Sequence, residues 1–93
     1  MSHHDVISRA VSTDREITLE ALRVFTYLSR HLFFDHPVPV LQSELAEALG
    51  MQRPNVNRAI KLLENKQILL RHSKLGRAIT FRLNPEAGSS RAA

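Results

Sequence analysis

A glycine at position 50, set between two short amphipathic stretches, constrains this chain more than any other feature. Before it runs Leu41-Gln42-Ser43-Glu44-Leu45-Ala46-Glu47-Ala48-Leu49, a compact helix with Leu45, Ala46 and Leu49 on one side. After it, Met51 and Gln52 lead into a second helix from Arg53 to Lys66, with Pro54 in the first turn, where a missing N–H costs little. Val56, Ala59, Ile60 and Leu63 form its apolar stripe, and Pro54, Asn57, Arg58 and Lys61 fall on the other side. Gly50 permits the sharp turn between them, and Ala46 is small enough for close packing. Asn65 is the expected left-handed stop of the second helix. Two helices locked this way leave a polar face projecting from the body.

The flanks complete a single small domain. Residues 1–17 have little periodicity and read as a flexible arm, although Thr13-Asp14-Arg15-Glu16 has capping-box spacing. From Thr18, Leu19, Leu22, Phe25, Leu28 and Leu32 recur at helical spacing, which predicts a helix to about Phe34. Asp35-His36-Pro37 ends it. Its apolar content spans more than one face, including Tyr27, Phe33 and Phe34, so it should pack on both the core and a second subunit. Val38-Pro39-Val40 suggests a short edge strand. After Lys66 the period becomes alternating. Ile68 and Leu70 should point one way and Leu69 and Arg71 the other. Ser73 to Arg77 is the turn, and Ile79, Phe81 and Leu83 are the apolar face of the returning strand. The expected domain covers 18–84, and residues 85–93 should form a disordered tail.

Composition narrows the function. The 93 residues include no cysteine, which excludes disulfides and thiolate metal sites. No apolar run approaches the roughly 20 residues of a membrane span, and no signal peptide is legible, so a cytoplasmic location is expected. The five histidines show no metal-ligand spacing, and no nucleophile motif or glycine-rich loop is present. The reading is therefore of a protein without enzymatic activity, cofactor or small-molecule ligand. The net charge of +4 is unevenly placed. Residues 1–50 hold four basic and seven acidic residues, whereas 51–83 hold eight basic residues against Glu64 alone. A basic half of this kind suits a polyanion.

Gln42-Ser43-Glu44-Leu45-Ala46, Leu49-Gly50-Met51, Arg53 to Ile60, Leu63 and Ile68-Leu69 together resemble the winged helix-turn-helix of bacterial regulators. The pattern is similar to the MarR-type and Crp-type DNA-binding domains and to small winged-helix proteins of plasmid replication and copy control, over roughly residues 18–83. Two positions depart from it: Leu41 stands where a capping Ser or Thr is usual, and Gln67 where Gly is usual. The resemblance implies a mainly α fold of three helices plus a two- to three-stranded wing. It also implies a double-stranded DNA surface made of Gln42, Ser43, Arg53, Pro54, Asn55, Asn57, Arg58, Lys61, Lys74 and Arg77. The helix beginning at Arg53 would enter the major groove, about 12 Å wide. There Asn57 would read an adenine edge, Arg58 a guanine or a phosphate, and Arg53 and Lys61 phosphates. Lys74 and Arg77 would approach the adjacent minor groove. The expected assembly is a homodimer through the helix over 18–34 and the N-terminal arm, on a palindromic operator, most simply as a repressor. A plasmid replication or copy-control factor, or a winged helix whose basic face binds an acidic protein, would use the same residues.

Overall fold

The computed structural model describes residues 2–87. Ser2 opens the first helix, α1 (His3–Thr13): its hydroxyl accepts the Asp5 N–H at 3.1 Å. This corrects the expectation of a flexible arm over 1–17. Ile7 and Val11, one turn apart, are each only 1% exposed and belong to the main core. Val6, Ile7, Ala10 and Val11 do follow helical spacing, but the pattern lasts for barely two turns. Beyond it, Asp14 Oδ1 accepts the Glu16 N–H at 2.8 Å. Lys66 pairs with both Asp14, at 3.1 Å, and Glu16. The Glu16 N–H first, and then Lys66, hold the Asp14 carboxyl below its ordinary pKa, while Glu16 and Asp14 raise that of Lys66.

Thr18 caps α2 (Leu19–Leu28) by accepting the Ala21 N–H at 3.0 Å. The helix stops at Leu28, well before the expected Phe34. The Ser29 hydroxyl bonds back to the Thr26 carbonyl, and the Arg30 and His31 amides reach carbonyls three residues back. Such local bonds compete with the regular helical ladder. Leu32 still enters the core.

The strand β1 (Val38–Val40) is an edge strand, as its proline requires. Leu41 precedes α3 (Gln42–Leu49) without a side-chain cap. Gly50 lies at φ +63, and the bonds Met51 N–H to Ala46 O and Gly50 N–H to Glu47 O close α3 in a Schellman motif. The Arg23 guanidinium of α2 adds a 2.5 Å bond to the Leu49 carbonyl.

The next helix, α4 (Arg53–Asn65), buries Val56, Ala59, Ile60 and Leu63 against α2 and α3. Its left-handed residue is Gln67, at φ +60, rather than Asn65. Gln67 and Ile68 donate to Glu64 O and Leu63 O, so the chain turns two residues later than expected. A non-glycine residue in this conformation is strained by about 1–2 kcal/mol. Gln67→Gly should therefore raise stability by about 0.5–1 kcal/mol, net of glycine's extra chain entropy. Urea denaturation would register it as a higher midpoint at constant slope.

Strands β2 (Leu69–Leu75) and β3 (Ala78–Leu83) form an antiparallel hairpin closed by Gly76 and Arg77 alone. Gly76, at φ +63, supplies the positive angle that a two-residue hairpin loop demands at its first position. The sheet order is β1-β3-β2. Leu69, not Leu70, faces the core opposite Leu83, because Ile68 still lies in the turn and the alternation starts one residue later. Between Arg71 and Lys74 the register shifts by one residue. There the buried Thr80 hydroxyl accepts the Ser73 N–H at 2.9 Å and donates to its carbonyl at 3.0 Å. Pro85–Ala87 form a turn with Ala87 in the core, where disorder was expected from residue 85. The rest of that expected tail lies outside the described residues.

Among the described residues the fold is thus four helices and one three-stranded antiparallel sheet around a shared apolar core. No helix among them is long and apolar enough to cross a membrane.

Candidate nucleic-acid interface

Packing sorts the eight cations of residues 51–83 into two groups. Three are tied into the body. Lys66 joins Asp14 and Glu16. Arg71 pairs with Glu64 at 2.7 Å, which raises the arginine's pKa. Arg82 bonds His72 Nε2 at 3.1 Å and the Phe34 carbonyl at 2.8 Å. The other five are Arg53, Arg58, Lys61, Lys74 and Arg77, all exposed and without an acidic partner among the described residues. These five are the cations that the sequence assigns to the interface.

They fall on three elements. The α4 helix carries Arg58 and Lys61 opposite its buried stripe and Arg53 at its first position. Pro54 is exposed beside Arg53 and pre-sets the backbone of the first turn. The hairpin end carries Lys74 and Arg77. A cleft of about 330 Å³ joins these elements to the start of α3, lined by Val40, Leu41, Gln42, Ser43, Arg53, Lys74, Arg77 and Ile79. Three cations and no acid border it. The Schellman turn at Gly50 brings the starts of α3 and α4 to the same side, and the hairpin closes the third wall. Lys74 pairs across the hairpin with Ile79, and both line the cleft.

Two contacts within the surface were not read from the sequence. Gln42 Nε2 donates to Asn57 Oδ1 at 3.5 Å, linking α3 to α4. Arg58 Nη2 donates to Asn55 Oδ1 along α4. The three-residue spacing of Asn55 and Arg58 could have revealed the second contact. The first joins residues 15 apart and depends on the packing of the helices. The hairpin end also exposes Leu75, whose alternation with Lys74 turns it to the opposite face. Among the described residues no group of three or more histidine, aspartate and glutamate side chains is placed to hold a metal.

No family model matches the chain, and no curated protein does. Among solved structures, the chain is similar to the crystal structure of RV1404 from Mycobacterium tuberculosis, at 21% identity with a TM-score of 0.61. The match covers 94% of this chain and 57% of that one, so the chain spans little more than half the length of the protein it resembles. At this identity the likeness concerns the fold.

Proposed function

We propose that this chain is a winged helix-turn-helix protein that binds double-stranded DNA in a sequence-specific manner and acts in the cytoplasm as a transcriptional regulator, most simply a repressor. The observation that carries the reading is the sorting of charge. Within residues 51–83, Lys66, Arg71 and Arg82 are held by the body, Arg53, Lys74 and Arg77 border one cleft without an acid, and Arg58 and Lys61 stand exposed on α4. In this reading α4 lies in the major groove, the Arg53–Lys74–Arg77 cleft meets backbone phosphates, and the hairpin end follows the neighbouring minor groove. A protein this small represses by occupying its site. Two copies on a palindromic operator would set their α4 helices about 34 Å apart, one turn of DNA. Leu19 and Phe33, both exposed in the N-terminal half, are the apolar residues on hand for a second copy, which would meet α2 and α1.

The test is binding of the full chain to random and selected duplexes by fluorescence anisotropy. Arg58→Ala should weaken binding to the selected duplex by about 1–3 kcal/mol while leaving random duplex nearly as well bound. Equal binding of parent and variant to every duplex would overturn the assignment of α4 to the major groove.

A further inference from the structure

The hairpin end carries an exposed leucine between its two cations. Leu75 is 62% exposed and stands outside the core and the residues packed against it. A lone exposed leucine is ordinary on a protein surface. The place of this one is not, because it lies between Lys74 and the Gly76-Arg77 loop, at the point assigned to the minor groove. Its partner across the ribbon is Ala78, whose single methyl group offers it little to pack on.

Neighbouring side chains of a strand point to opposite faces. Lys74 lines the cleft with Ile79, so Leu75 stands on the other face of the ribbon. A ribbon end entering a groove with its faces toward the two walls therefore sets Lys74 against one DNA strand and Leu75 against the other. The walls suit both: phosphates at the rim for the ammonium, and deoxyribose C–H groups below them for the leucine. Space decides how well the end fits. Packed sheets lie about 10 Å apart, so a ribbon with side chains on both faces is about 10 Å thick. The minor groove of B-DNA is about 6 Å wide and must open to admit it, and A-tracts are both narrower and stiffer. Lys74 can lie along a wall on its flexible stem and keep its charge at the rim. Leu75 cannot fold away in this manner, so it sets the least width that admits the hairpin end.

Resting on the DNA-binding reading above, we propose that Leu75 is a specificity-determining residue: it packs on the sugars of one minor-groove wall and selects wide or easily opened grooves over A-tracts. Sequence is then read where no base edge is touched, through the cost of opening the groove. Pyrimidine–purine steps, which deform easily, are favoured beside the bases that face α4.

The experiment begins with enrichment of random duplexes on the purified full chain. The enriched duplex is then made in two forms that share the bases facing α4 and differ at the flanks, one with A-tracts and one with TA and CA steps. The parent should bind the second form about tenfold more tightly, a ratio within the range set by groove deformation. Leu75→Ala should bring the two forms within about twofold of each other, gaining on the first and losing on the second, with no change in the slope of log affinity against log salt. Leu75→Ile, of equal volume, should keep the parent's ratio. Lys74→Ala should weaken both forms alike and flatten the slope by about 0.9. A leucine that merely shaped the hairpin would, on removal, lower both affinities together. Equal binding of the two forms by the parent, or a ratio unchanged in Leu75→Ala, overturns the proposal and leaves DNA binding intact. Failure to enrich any duplex overturns the DNA-binding reading and this inference with it.

Discussion

Ile7→Ala should cost the domain about 2–5 kcal/mol of stability, the usual range for emptying a core site of this size. Ile7 is 1% exposed and shares the core with Val11 and the buried residues of α2, α4 and the sheet. A domain of this size has about 5–15 kcal/mol in total, so the loss is a large fraction of it. Small domains also have little surplus burial to compensate. Chemical denaturation followed by circular dichroism measures the effect. Arg9→Ala, on the exposed side of the same helix, is the control and should stay within about 0.5 kcal/mol of the parent. If Ile7→Ala also stayed within that margin, α1 would not belong to the cooperative unit.

The second large effect concerns the cationic cleft. Replacing Arg53, Lys74 and Arg77 together by alanine removes all three charges that border it. Each phosphate interaction removed should flatten the slope of log affinity against log salt by about 0.9. Three such interactions correspond to a fall of about 10²-fold in duplex affinity per protomer at physiological salt. The fall should be similar for specific and random duplexes, in contrast to Arg58→Ala, because phosphates carry no sequence. A salt titration of the triple variant separates the two cases. A slope unchanged from the parent would remove the cleft from the proposed DNA surface. The three side chains are exposed and make no ion pair among the described residues, so the fold should be unaffected.

Much of this was legible in sequence because period and turn chemistry agree. Around Gly50 the apolar spacing, the glycine and the proline all specify the same pair of helices, and both form where expected. The hairpin followed from alternation, with its apolar face on Phe81 and Leu83. What escaped did so for physical reasons. The burial of α1 depends on a groove that exists only after the other helices pack; its apolar pairs Val6-Ile7 and Ala10-Val11 do recur at helical spacing, but over barely two turns. The helix α4 does end at Asn65, but the left-handed residue falls at Gln67, although Asn65 is the better one by intrinsic preference. The charges at positions 53, 58, 61, 74 and 77 could be named from sequence, but not that Lys66, Arg71 and Arg82 would be engaged elsewhere. Those partners lie next to α1, on α4 and in the loop before β1, and only tertiary packing brings them close.

The irregularity at Ser73 and Thr80 also governs how the hairpin end is aimed. Two residues of β2 sit opposite one of β3, so the ribbon bends and its twist increases there. Removing one of the two would leave Lys74 across from Ile79 and Arg71 across from Phe81. The crook, however, would straighten, and Arg77 would swing relative to Arg53 on α4. The span between helix and ribbon is thus adjustable by residue count at one point, without repacking the interior.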